Sequence, residues 1–183
     1  MRLWLATGNA HKVGEVQEIL GDRYVVVASD TGAEESGVTF EANALLKARA
    51  LVAIVGEVAL ADDSGIEIDH LQGRPGIHSA RWTTEGDWIP RVLRELDGEP
   101  PEARGCRYVC AAAAVWPDGR EVAVRGEVEG RIVQAPRGAG GFGYDPIVAP
   151  LEGDGRTFAE MTASEKHAIS HRSRAFGKLA LLL

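Results

Sequence analysis

Lysine and asparagine are nearly missing from this chain of 183 residues: four Lys, at 12, 47, 166 and 178, stand against 16 Arg, and Asn occurs only at 9 and 43. A chain that uses Arg wherever any cation suffices keeps Lys where a compact ammonium is required, because the two groups differ in shape and hydration. Lys12, Lys47 and Lys166 are marked out on that ground. Cysteine is equally sparse. Cys106 and Cys110 lie in one apolar stretch that reads as a strand, where four residues span about 13 Å, too far for a disulfide. They read as buried thiols in a reducing compartment. No apolar run approaches the roughly 20 residues of a membrane span, and the N-terminus lacks the basic, apolar, small-residue pattern of a secretory signal. A cytoplasmic chain with no membrane partner is expected. Positive charge is also short. A net charge of -7 argues against a nucleic-acid partner, which calls for a basic face opposite the phosphate backbone. Any polyanionic ligand must then meet a local cluster of cations, or a divalent cation held on acidic groups.

What is present is a soluble globular composition, 45% hydrophobic and 26% charged, with a length that fits one domain over residues 1–183 and a sizeable core. The centre of interest is Val58-Ala59-Leu60-Ala61-Asp62-Asp63-Ser64-Gly65. Its apolar run reads as a buried strand that stops at two adjacent carboxylates. Carboxylates beside a core are costly unless a cation or hydrogen bonds compensate them, so the pair is a candidate metal or general-base site. Asp, Ser and Gly are also common turn formers, and a polar turn is the competing reading.

Upstream, Leu3 to Ala6 reads as a strand, Thr7-Gly8-Asn9 as a sharp turn, and Val13, Val16, Ile19 and Leu20 as the stripe of a helix. Strand, glycine-containing turn and helix make an anion site, because free N–H groups and the helix dipole face the turn; an ordinary helix cap at the same turn is the alternative. Tyr24 to Ala28 reads as a second strand. Residues 29–38 form a polar loop with Asp30, Glu34 and Glu35, followed by a helix from Phe40 to Val55 capped by Thr39 and closed by Gly56. Leu45, Leu46, Ala48, Val52 and Val55 supply its apolar face, while Asn43 and Lys47 share a polar one.

Ile66 to Asp69 alternates like a strand, and Asp87 is placed to cap a helix through Leu96. Cys106 to Trp116, Glu121 to Val128 and Arg131 to Val133 read as strands of an antiparallel meander, the first two joined by Pro117-Asp118-Gly119. Gly138 to Gly143 is a glycine run in which Phe142 offers a ring for stacking a flat base or for packing into a core. Thr162-Ala163-Ser164-Glu165 is a capping box opening a helix that carries Lys166, and Ser170-His171-Arg172 interrupts or restarts it.

In order, Thr7-Gly8-Asn9-Ala10-His11-Lys12, Thr39 to Asn43, Ala61 to Gly65, Gly141-Phe142-Gly143-Tyr144-Asp145-Pro146 and Ser170-His171-Arg172 resemble the inosine triphosphate pyrophosphatase family, also described as XTP/dITP pyrophosphatases. The resemblance runs from the first strand to the final helix. It implies an α/β fold with a long mixed central sheet flanked by helices, in two lobes with the active cleft between them. It also implies a Mg2+-dependent homodimer that cleaves non-standard purine nucleoside triphosphates such as ITP, dITP and XTP to monophosphate and diphosphate. By position, Thr7, Gly8, Asn9, Ala10, His11 and Lys12 would hold the triphosphate, and Glu34 and Asp63 the metal, with Asp63 also the proton acceptor. Ser64, Phe142, Gly143, Tyr144, Asp145, Lys166, His171 and Arg172 would line the nucleotide site. The residue types suit the chemistry: cations neutralise a charge-shielded triphosphate while a carboxylate activates water at the α-phosphorus. Phe142 would stack on the base, and donors from His171 and Arg172 would favour a 6-keto group over the amino group of adenine.

Overall fold

The computed structural model describes residues 1–83, 86 and 88–183; the helix cap read at Asp87 lies outside the described residues. Six strands form one mixed sheet in the order β2-β1-β3-β4-β5-β6: β1 (Arg2–Ala6), β2 (Val25–Ser29), β3 (Ala59–Ile68), β4 (Gly105–Val115), β5 (Glu121–Ile132) and β6 (Val148–Pro150). β1 pairs parallel with both β2 and β3, whereas β5 and β6 run antiparallel. The α-helices among the described residues are α1 (Ala10–Leu20), α2 (Phe40–Val55), α3 (Trp88–Glu95), α4 (Ala163–Ile169) and α5 (His171–Ala180). The expected α/β fold with a mixed central sheet and flanking helices is therefore the one observed.

The chain divides into two compact units. One comprises Met1–Ser64, Cys110–Glu127 and His171–Leu183; the other comprises Gly65–Val109 and Val128–Ser170. In the first, Leu3, Leu5, Val16, Leu20, Leu60 and Phe176 are core members together with Ala112 and Ala114 of β4. Gly126 of β5 brings α5 close: a Cβ there would lie 2.3 Å from the His171 carbonyl oxygen and 2.4 Å from the Ala175 nitrogen. In the second unit Ile66, Ile68, Val92, Leu96, Tyr108, Ile147 and Phe158 form the core.

Several local expectations are met. Thr39 caps α2 through its side chain, and Gly56 closes that helix in the left-handed region. Thr162 and Glu165 form the capping box of α4, and Ser170 separates it from α5. Both cysteines are buried and free. Three expectations need correction. β3 does not stop at the paired carboxylates but runs on through Ile68 as one strand of ten residues, because hydrogen bonds and cations remote in sequence satisfy Asp62 and Asp63 inside it. β5 is likewise one strand, not two, since Glu129 and Gly130 continue it. The buried face of α2 is Phe40, Asn43, Ala44, Ala48 and Leu51, rotated from the expected stripe so that the amide of Asn43 points inward.

Candidate active site

The register of the sheet fixes where the carboxylates stand. Leu5 of β1 lies opposite Leu60 of β3, and β1 ends at Ala6. Asp62 and Asp63 therefore project beyond the carboxyl end of a parallel neighbour, the place where open α/β sheets receive ligands. The turn that leaves β1 at this point leads into α1. Asn9 caps that helix, its Oδ1 accepting from the His11 N–H at 3.0 Å, while its own N–H donates to Thr7 Oγ1 at 3.1 Å. Gly8 faces Asp30, whose Oδ2 a Cβ would meet at 2.8 Å. Ala10 and His11 are exposed in the first turn. Lys12 turns to the sheet, with Nζ 2.9 Å from Asp62 Oδ2.

Successive strand residues point to opposite faces, so the two carboxylates meet different helices. Asp62 Oδ2 accepts from Lys12, from Ser64 Oγ at 3.2 Å and from Arg172 Nη2 at 3.3 Å. Arg172, only 1% exposed, also donates to Glu15 Oε2 at 2.5 Å and to Ser64 Oγ at 3.0 Å. Burial would raise the Asp62 pKa, but Lys12, Arg172 and Lys47 outweigh it and hold the carboxyl well below the usual range. For Arg172 burial works against the charge, and Asp62, Cys110 and Glu15 carry it upward. The neighbouring Cys110 thiol is pushed up by burial and by the Asp62 charge.

Asp63 moves the other way. It accepts from Asn43 Nδ2 at 2.9 Å and from the Ser64 N–H at 3.0 Å, and Lys47 Nζ stands 3.9 Å away. Burial raises this carboxyl, Glu35 adds to the rise, and Lys47 and Asn43 offset only part of it. Lys47 bonds Glu35 at 2.7 Å; burial disfavours its charge, yet Asp62, Asp63 and Glu35 raise it. Asn43, fully buried, also accepts from the Gly37 N–H at 2.8 Å and so ties the acidic loop to α2.

A second constellation lies wholly in the other unit. Asp145 accepts from Tyr108 Oη at 3.1 Å, from Lys166 Nζ at 2.9 Å and from the Phe142 N–H at 2.9 Å. Lys166 Nζ sits 4.6 Å from the centroid of the Phe142 ring. Gly141 leaves room for this, since its Cβ would fall 2.0 Å from Asp145 Oδ2. Tyr144 donates to the Ser79 carbonyl at 2.8 Å, and Gly143 has a positive φ of 62°.

Of the residues singled out from sequence, the structure brings Lys12, Asp63, Ser64 and Arg172 into one cluster, and Phe142, Asp145 and Lys166 into the other. His171 is buried as the first residue of α5. Glu34 is exposed on the acidic loop, and its neighbour Glu35 is the one that reaches Lys47. Sequence reasoning named Asp62 only as a member of the candidate carboxylate pair, and gave no site role to Glu15 or Tyr108. The scarcity of Lys did point at Lys47; nothing in the local pattern marked Glu15 or Tyr108.

Magnesium prefers oxygen ligands and is commonly held by one or two carboxylates together with waters and phosphate oxygens. Among the described residues no group of three or more His, Cys, Asp or Glu could hold a metal ion, so a protein cage is not offered. Asp62 Oδ1 is a buried acceptor without a hydrogen-bond partner. That donor set fits a cation held partly by a bound ligand.

Paired carboxylates past the end of a parallel strand, a helix N-terminus and three cations make this an α/β protein equipped to handle a phosphate-bearing ligand. The Ham1 family model matches residues 3–181. A dITP/XTP pyrophosphatase of Symbiobacterium thermophilum is 51% identical over 183 residues, covering 97% of this chain and 92% of that protein. Its counterpart of the same description in Bacillus subtilis (strain 168) is 46% identical, over 98% and 95% of the two chains. Among solved structures, a HAM1 protein from Coxiella burnetii matches with a TM-score of 0.87 at 35% identity, covering 100% of this chain and 98% of that one. The chain belongs to the Ham1 family.

Proposed function

We propose that this protein hydrolyses non-standard purine nucleoside triphosphates, dITP and XTP among them, to the monophosphate and diphosphate. The relatives described as dITP/XTP pyrophosphatases support the substrate class. The observation that carries the mechanism is the different surroundings of two adjacent carboxyls: Asp62 accepts from the cations Lys12 and Arg172, whereas Asp63 accepts from the neutral Asn43 amide and the Ser64 N–H. These surroundings hold Asp62 down and leave Asp63 raised by burial. A carboxylate committed to cations is a poor base, whereas one raised toward the working pH accepts a proton from water. Asp63 is therefore the proton acceptor, and the water it deprotonates attacks the α-phosphorus with diphosphate as leaving group. Lys12 and Lys47 carry the positive charge that a triphosphate needs near it. Asp62 keeps Lys12 and Arg172 in place. Asp63, with Asp62 or Glu34, would hold magnesium, which would add to the neutralisation of the phosphate charge. Phe142 offers the ring on which a purine base stacks. Homodimeric assembly and a cytoplasmic location belong to the same reading; no helix among the described residues is long and apolar enough to cross a membrane.

The test is a panel of dITP, XTP, dUTP, methylated nucleotides and the common triphosphates with Mg2+, scoring diphosphate and orthophosphate separately. Diphosphate from dITP and XTP, lost on chelation and restored by Mg2+, is the expected result. Orthophosphate as the product, or preference for dUTP, would overturn the assignment.

A further inference from the structure

Tyr108 belongs to no motif and sits in the middle of β4, yet its phenol is the group that ties Asp145 to the sheet. We propose that Tyr108 is a positioning residue for nucleotide binding: its hydrogen bond turns the Asp145 carboxylate so that Lys166 and the Phe142 backbone are held in register. This inference rests on the proposed function for the nucleotide role of Phe142 and Lys166, and adds to it the residue that sets their geometry.

The division of labour at Asp145 carries the argument. Oδ1 accepts from Tyr108 at 3.1 Å, whereas Oδ2 accepts from both Lys166 Nζ and the Phe142 N–H at 2.9 Å. Fixing Oδ1 fixes the plane of the carboxylate, hence the direction of Oδ2. The ammonium is thereby held 4.6 Å from the Phe142 ring centroid, within the reach at which a cation and an aromatic face attract. All three side chains at the hub, Tyr108, Asp145 and Lys166, are buried, so water does not readily replace a lost donor. Tyr108 stays a donor throughout the working pH range, because burial and the Asp145 charge both push its ionisation well above the ordinary phenol value. Its ring is anchored independently, packed in a tilted contact against Phe158 with centroids 5.6 Å apart at 53°. Removing the hydroxyl alone therefore spares the packing.

Tyr108→Phe is the test, with Lys166→Met and the double variant completing a cycle. A hydrogen bond to a charged group corresponds to roughly a tenfold change in an equilibrium constant. The expected result is a KM for dITP raised about tenfold on that scale, a kcat within about twofold, and no further rise when Tyr108→Phe is added to Lys166→Met. Phe158→Leu, which loosens the ring contact without touching the hydroxyl, lowers the melting temperature and leaves KM unchanged; this separates positioning from general packing. An unchanged KM in Tyr108→Phe, or a full additive loss in the Lys166→Met background, would overturn the inference while leaving the reaction intact. Wild-type protein that binds dITP without releasing diphosphate would refute the reaction instead, and the same cycle is then scored on calorimetric Kd. Wild-type protein that binds no dITP at all would overturn both.

Discussion

Asp62→Asn keeps the shape of a buried side chain and removes its charge. The carboxylate it replaces is 1% exposed and accepts from Lys12, Arg172 and Ser64 through one oxygen. Breaking a buried ion pair from one side costs about 3–5 kcal/mol, because the remaining charge is left desolvated. Arg172 retains Glu15, and Lys12 is partly exposed and can turn to water, so the lower end, about 3 kcal/mol at pH 7, is expected. The pH dependence supplies a second signature. The folded-state value of Asp62 lies well below the unfolded one, so its ionised form favours folding fully above about pH 4. That contribution is lost as pH falls from there through the folded value. Asparagine does not titrate. The stability gap between the two proteins, read from urea unfolding at a series of pH values, should be largest near neutrality and close progressively below about pH 4. Equal stability at pH 7, or a gap that widens on acidification, would refute the account of Asp62 as a cation-held anchor.

Asn43→Ala removes the donor that stabilises ionised Asp63; the acid limb of kcat/KM against pH should move to higher pH, and an unmoved limb would count against Asp63 as base. Lys47→Met takes away a second influence that lowers Asp63 and should move that limb in the same direction, with a fall in kcat at neutral pH. Gly126→Ala forces a methyl against the backbone of α5; overpacking of this kind costs about 1–3 kcal/mol, so a lower denaturation midpoint together with weakened dITP turnover is expected, since His171 and Arg172 ride on that helix.

How far the sequence could be read depends on the distance over which each signal acts. The ends of α2, the turn at Pro117-Asp118-Gly119 and the capping box at Thr162 are decided by residues within a few positions, and all are found as expected. The continuity of β3 is not local. Two carboxylates inside a strand are tolerable only because Lys12, Asn43, Lys47 and Arg172 arrive from elsewhere in the chain, and periodicity has no access to them. The same holds for the buried face of α2, where an Asn43 read as part of the polar face is fully buried. Rarity proved the better guide. Lys12, Lys47 and Lys166 each end on a carboxylate, Asp62, Glu35 and Asp145 respectively, whereas exposed Lys178 donates to the Arg125 carbonyl. A preference for Arg across the rest of the surface is what made those three visible.

Adjacent acids on one strand invite the view that either could serve as base, and their surroundings argue otherwise. The strand pleat sends Asp62 toward Lys12 of α1 and Arg172 of α5, and Asp63 toward Asn43 and Lys47 of α2. Exchanging the two roles would require the cations to exchange helices as well. Single substitutions should therefore fail in different ways. Asp63→Asn should lose turnover while still binding nucleotide, because it removes the proton acceptor. Asp62→Asn should loosen binding and stability together, because it releases the ammonium and guanidinium that it holds. If both variants lost turnover with unaltered affinity and stability, the division between anchor and base would be wrong.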